Sequence, residues 1–169
     1  MTTIDTSLLS AKYKALLPEA ARTGADEAAL FGCFTLLSVA DTVFRVCHER
    51  LAQYQLSEGR FAVLLLLRQS PSKLAPSELA EQAGVTRATM TGLLDGLVRD
   101  GFVNREETKN DRRSFAVSLT PKGRRVVEKV IPLQLKWLEA LFADLTLGAK
   151  KNLLECLQMI GRKVQHEKQ

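Results

Sequence analysis

Histidine is almost missing from this chain. There are two, His48 and His166, and the three cysteines, Cys33, Cys47 and Cys156, stand far apart with no C-x-x-C pair. Structural zinc sites draw on clustered thiolates and imidazoles at short spacings, so a metal sensor would need carboxylate or thiolate partners that no local cluster offers. No metal and no cofactor is expected. An odd, sparse cysteine count excludes a disulfide framework and fits a reducing compartment. No glycine-rich phosphate loop and no nucleophile–base pair is visible, so no reaction can be assigned and the chain reads as non-enzymatic. No apolar run approaches membrane-spanning length, and no charged-then-apolar segment opens the chain. A cytoplasmic protein without a membrane partner is the expectation. Internal repeats and low-complexity tracts are absent as well.

What is present suffices for a core. Of 169 residues, 46% are hydrophobic, and the formal net charge is +5. That length suits one domain, or a small domain with a dimerising extension. A basic balance permits nucleic acid, but its weight depends on where the charges sit.

Residues 1–22 form an N-terminal extension. Leu8, Leu9, Tyr13, Leu16 and Leu17 suit either one short amphipathic helix stopped by Pro18 or a tail. Thr23-Gly24-Ala25-Asp26 has the spacing of a capping box. A long helix should follow to about Gln53, with a stripe of Leu30, Phe34, Leu37, Phe44 and Leu51 and more apolar residues on its other faces. Such a helix must be buried nearly all round, and a second subunit is the expected cover. Ser57 caps the next helix, with Leu56 and Phe61 spaced as a hydrophobic staple. Further on, Thr120-Pro121 opens a helix interrupted by Pro132, where a kink is expected. Thr146 caps a last helix through Ile160, and a polar tail starts at Gly161.

The stretch 74–120 organises the rest. Lys73-Leu74-Ala75 suits a minimal strand, and Pro76 begins a short helix whose N-cap, Ala75, has no side-chain acceptor. Gly84 stops it. Thr86 caps a second helix with Met90, Leu93, Leu94 and Leu97 on its core side and Ala88, Thr91, Gly92, Asp95 and Arg99 opposite. Gly92 and Gly96 each cost about 1 kcal/mol relative to alanine there, and close approach of a backbone is the expected gain. Two strands then flank a charged tip. The predicted fold is mainly α with a small β-hairpin: a winged helix-turn-helix at 56–120, flanked by dimerisation helices at 23–55 and 121–169.

Two clusters point to duplex DNA. At the wing tip, Lys109, Arg112 and Arg113 lie within five residues, beside Asn110 and Asp111. Three cations on a turn repel each other, but on DNA they can neutralise phosphates or enter the minor groove. Asp111 sits two residues before Arg113, where it can orient that guanidinium. Thr86, Arg87, Thr89 and Thr91 stand at or near the start of the second helix, where free backbone N–H groups and a positive dipole end suit phosphate contacts and a few base edges.

These motifs resemble the MarR family of bacterial transcriptional regulators. The matching pieces are Ser77-Glu78-Leu79-Ala80, Thr86-Arg87-Ala88-Thr89-Met90-Thr91, Leu93-Leu94-Asp95-x-Leu97, Gly101-Phe102-Val103 and Asp111-x-Arg113-Ser114 followed by Val117-x-Leu119-Thr120. The flanking helices fit in order and length, so the resemblance covers residues 23–169. It implies a homodimer joined by the first and last helices, with recognition helices in successive major grooves and wing arginines in the minor grooves. Its implied partner is a pseudo-palindromic operator in double-stranded DNA. It also implies control by a small ligand or an oxidant. Ala75 stands where the family often has Thr or Ser, and Gly92 where some members carry a base-reading Arg. Readout of DNA shape is then the expectation.

For the effector, the resemblance implies an aromatic or phenolic acid held between the dimer helices and the DNA-binding lobe. Phe31, Phe34, Phe61 and Trp137 are the candidate lining, with Arg45 or His48 facing an anion. A cysteine sensor is the alternative, with Cys33 the nearest candidate. Cys33, however, falls within an apolar helix with no Lys or Arg close in sequence to lower its pKa, so a core role is expected for it. A protein-binding winged helix is the other alternative, and the clustered basic tip discriminates against it.

Overall fold

The computed structural model describes residues 5–108 and 111–166, with 107, 108 and 111–114 described by their backbone alone. The chain divides into two compact units, Met1–Arg124 and Arg125–Gln169.

The first unit opens on a 3-10 turn, Thr6–Leu8, and helix α1, Ala11–Thr23. Pro18 does not stop α1, which continues until Gly24 closes it at φ 67°. An interior proline costs about 3 kcal/mol or more, and packing on the next helix offsets it. Tyr13 stacks on Phe34 with ring centroids 4.9 Å apart. The Ser10 N–H donates to the Ser38 hydroxyl at 3.1 Å, and Lys12 pairs with Asp41 at 3.3 Å. Thr23 is not the cap of the long helix. Its hydroxyl donates back to the Ala20 carbonyl, and Asp26 caps instead, accepting from the N–H groups of Ala28 and Ala29.

Helix α2 is Glu27–Ala52. Contrary to the sequence expectation, it is long and apolar enough, by length and composition, to cross a membrane. Ser38 and Asp41 interrupt that character, and both are engaged by the N-terminal segment. Within the chain α2 buries only Ser38 and Leu51, while Phe44 is 62% exposed. Cys33 is exposed and Cys47 half-buried, so in the single chain Cys33 is not the core residue expected. The reason is that the helix face carrying it has no cover within the first unit.

Ser57 caps α3, Glu58–Gln69, by accepting from the Arg60 N–H. Then come α4, Pro76–Gln82, α5, Arg87–Arg99, β1, Val103–Thr108, and β2, Asp111–Leu119. The strands pair antiparallel from Val103↔Leu119 to Glu107↔Phe115, with a register shift next to the tip. Leu74 adds a one-residue bridge to Val117, with backbone bonds of 3.1 and 2.8 Å. Leu51, Leu64, Leu79, Met90, Leu94, Leu97, Val103 and Val117 form the buried core of this unit. Each large side chain enclosed there stabilises the fold by about 1.5–3 kcal/mol. Helices α3 and α5 meet closely where Leu93 methyl groups lie against Gly59, 3.1 Å from where a Cβ would stand.

Helix α6, Pro121–Ala140, starts in the first unit; the remainder of α6 and α7, Leu147–His166, make up the second. Thr120 caps α6 through the Gly123 N–H, and Thr146 caps α7 through that of Ala149. α6 runs on through Pro132. α7 also runs through Gly161 to His166, beyond the expected start of a polar tail. In the second unit Leu135, Leu147, Leu154, Met159 and Val164 are each more than half exposed, and Cys156 is exposed as well.

Candidate nucleic-acid interface

The α4–turn–α5 geometry follows from local chemistry. Gly84 takes φ 65° just after α4, where its lack of a Cβ removes the strain of the left-handed region. Val85 N–H then donates back to the Ala80 carbonyl at 3.0 Å, which turns the chain into α5. At the other end of α4, Ala75 gives no side-chain cap, but its own N–H donates to the Glu78 carboxylate at 2.6 Å. Half of a capping box survives without a capping side chain.

Thr86 caps α5. Its hydroxyl oxygen accepts from the Thr89 N–H at 3.1 Å and lies 2.9 Å from the Thr89 hydroxyl. Thr89 therefore supports the helix start. Thr91 donates its hydroxyl to the Arg87 carbonyl at 3.0 Å, which leaves its lone pairs outward. Arg87 is exposed, and among the described residues its guanidinium has no hydrogen-bond or ion-pair partner. Ala88, Thr91, Gly92, Asp95 and Arg99 are all exposed, so the small polar side of α5 faces outward as its pattern predicts. A Cβ at Gly92 would meet nothing within 4 Å. First-turn N–H groups, a free arginine and a flat hydroxyl-bearing face are what a phosphate backbone and a groove floor can use.

Arg105 on β1 pairs with Asp95 on α5 at 2.7 Å, tying wing to helix. Lys73 pairs with Glu106, the next residue of the same strand. Asp111, Arg112 and Arg113 lie on β2, with Asp111 two positions before Arg113. Their side chains, Lys109 and the orienting contact expected between Asp111 and Arg113 lie outside the described residues.

Residues 56–115 match the model of the MarR family. The solved structure of the transcriptional regulator PA4135 is 30% identical, with a TM-score of 0.58, covering 76% of this chain and 93% of that one. The chain belongs to the MarR family. The HTH-type transcriptional repressor YetL of Bacillus subtilis (strain 168) is 40% identical over 99 residues, 58% of this chain and 59% of YetL. The transcriptional repressor CouR, solved bound to a 23-mer DNA duplex, is 29% identical, with a TM-score of 0.64 over 76% of this chain and 90% of that one. The chain spans about three-fifths of the length of the curated relatives it matches. The segment matched by the MarR model holds α3, α4, α5, β1 and the first residues of β2.

The sequence-based ligand residues are less concentrated than the DNA face. Phe31 is half-buried on α2 and lines a cavity, while Phe34 is taken up by its stack on Tyr13. Arg45 is exposed and pairs with Glu49 at 3.2 Å, and His48 is exposed one turn nearer the end of α2. Fourteen residues of helix separate Phe31 from Arg45, roughly 21 Å of rise, so the first unit does not bring them to one place. Phe61 is half-buried on α3, and Trp137 is half-buried in the second unit. Among the described residues no group of three or more His, Cys, Asp and Glu is placed to hold a metal ion.

Sequence reasoning missed the clamp at the far end of α5. Arg60 on α3 donates to Asp100 at 2.8 Å and to the Gln55 carbonyl at 3.0 Å. Arg99 reaches the same carboxylate at 3.3 Å, and Lys122 donates to the Asp100 carbonyl at 2.7 Å. Gly96 makes this possible, since a Cβ there would stand 1.9 Å from the Arg60 guanidinium. The close approach expected of Gly96 is thus to a side chain and not to a backbone. No spacing in the sequence signals a pair forty residues apart. Partial burial pushes the Asp100 carboxyl up, but hydrogen bonds from Arg99 and Arg60, with their charges, outweigh it and hold the carboxyl below its ordinary value. A carboxyl lowered by folding stabilises the protein at all pH above its unfolded value, and that contribution fades as pH falls through the folded value. Stability should therefore drop below the ordinary aspartate range, and Asp100→Asn should flatten that acid slope. Urea unfolding of both proteins at neutral pH and near about pH 3 measures it; equal slopes would contradict the clamp.

Proposed function

We propose that this chain is a homodimeric, sequence-specific DNA-binding transcriptional regulator, a cytoplasmic repressor released from its operator by a small aromatic or phenolic ligand. The observation that carries the reading is the outward face of α5, with Thr86, Arg87, Thr89 and Thr91 exposed at or near its start. The wing cations Lys109, Arg112 and Arg113 follow it in sequence. Arg87 suits a phosphate or a guanine edge, Thr91 a phosphate or base edge through its free lone pairs, and Gly92 lets the helix approach the groove floor. With few long polar side chains on that face, sequence preference leans on DNA shape. YetL and CouR are repressors by their descriptions, and CouR was solved on DNA.

Dimerisation is supported by apolar exposure. Leu135, Leu147, Leu154 and Met159 in the second unit, and Phe44 on α2, are each more than half exposed. Patches of that kind mark association surfaces in soluble proteins. A two-fold dimer carries two copies of α5, so the operator should be a pseudo-palindrome with half-site centres about one helical turn, roughly 10 bp, apart. Sequencing the DNA that the protein selects from a random pool tests this together with sedimentation at micromolar concentration. A selected site without two-fold symmetry, or a folded monomer, would sink the dimeric reading.

A further inference from the structure

The N-terminal extension does more than cover α2. Between the 3-10 turn, α1 and the start of α2 lies a cavity of about 320 Å³, lined by Thr6, Leu17, Ala20, Glu27, Leu30 and Phe31. That volume sits at the lower end of those that take a small organic ligand. The wall is apolar apart from the Thr6 hydroxyl and one carboxylate, Glu27. No Lys, Arg or His is among the lining residues.

Glu27 is also unusual among the acidic residues of this region. Asp41 pairs with Lys12, Glu19 with Arg22 and Glu49 with Arg45. Asp26 spends its carboxylate on the first N–H groups of α2. Among the described residues Glu27 has neither an ion-pair nor a hydrogen-bond partner, and it stands in the first turn of the 26-residue helix α2. An unpaired anion beside an apolar, aromatic-lined hollow is a receptor for a cation with an apolar body. Aromatic acids, in contrast, would place a second anion against Glu27 with no cation in the lining to receive it.

We propose that this cavity binds a small lipophilic amine, its ammonium on Glu27 and its hydrocarbon or aryl body against Leu17, Leu30 and Phe31. The inference deepens the effector part of the regulator reading by giving the ligand a charge, and only its consequence for DNA rests on that reading.

Two probes of matched size and opposite charge decide it: 4-phenylbutylamine and 4-phenylbutyrate, titrated calorimetrically into the full chain. The amine should bind saturably and the acid at least tenfold more weakly. Glu27→Gln, which keeps the helix start, should weaken the amine about three- to fivefold, as fits a partly solvated ion pair. Ala20→Phe, which fills the hollow, should abolish amine binding. Equal binding of the two probes, or amine binding indifferent to both variants, overturns the proposal. So does a sedimentation shift to monomer on adding amine, since the hollow would then be a seat for the second copy. A parallel titration on operator DNA separates the two readings: amine binding without DNA release leaves the site intact and removes the effector role.

Discussion

Replacing Lys109, Arg112 and Arg113 together by alanine should weaken DNA binding by more than about 100-fold at moderate salt, the largest functional loss expected of any surface change. Each cation that neutralises a phosphate releases counterions and adds about 0.9 to the steepness of log K against log salt. Three of them per wing should lower that steepness by up to about 3 for each wing engaged. The single change Asp111→Ala separates charge from orientation. Acting through net charge alone, it would tighten binding. If Asp111 holds Arg113 in place, freeing a long side chain adds an ordering cost that can approach 2 kcal/mol, more than a salt-screened charge at an exposed tip returns. Weaker binding is therefore the expected result for Asp111→Ala, in the same direction as Arg113→Ala, with the double variant losing less than the sum. Fluorescence anisotropy at several fixed salt concentrations reads both quantities. Unchanged salt steepness in the triple variant would show that the wing does not meet phosphates.

Gly123→Ala should be the most destabilising single change of a small residue in the described chain. A Cβ at 123 would stand 2.0 Å from the Phe102 carbonyl oxygen and 2.9 Å from its carbon. Both atoms are backbone, and the oxygen is already the acceptor for the Thr120 N–H at 3.0 Å and the Thr120 hydroxyl at 3.2 Å. The carbonyl cannot retreat without loosening the junction that joins the wing to α6. Overpacking of this kind costs about 1–3 kcal/mol or more, against a gain of about 1 kcal/mol from removing a helical glycine. A net loss of up to about 2 kcal/mol is expected from chemical denaturation. Gly92→Ala supplies the contrast, because open space surrounds that position. It should be neutral or stabilising by up to about 1 kcal/mol. Equal stability of the two variants would mean that the Phe102 turn yields freely.

The winged helix was legible because its signals are short-range. A cap needs a hydroxyl or carboxylate three residues from an N–H, and Ser57, Thr86, Thr120 and Thr146 each fill that role at the positions read from the sequence. The 3.6-residue period put Met90, Leu94 and Leu97 in the core. Where two local signals competed, packing chose. Thr23 to Asp26 were read as one capping box, but Asp26 is itself the cap, because α1 runs on past Pro18 and uses Thr23 as its own last residue. Pro18 itself is tolerated because α1 has Phe34, Ser38 and Asp41 to pack on, partners that no reading of residues 1–22 alone supplies.

By itself the sequence determined the order of elements, the exposed small-polar face of α5 and the cationic composition of the wing, since these depend on residue type and spacing along one stretch of chain. Only the tertiary structure decided which distant groups meet. Arg60 crosses Gly96 to reach Asp100, Arg105 takes Asp95, Phe102 lies under Lys122 at 4.7 Å, and Glu27 is left unpaired at the edge of a hollow. Coulomb attraction and excluded volume act through space, at distances of a few ångströms, and the chain reaches those distances only after its helices have packed.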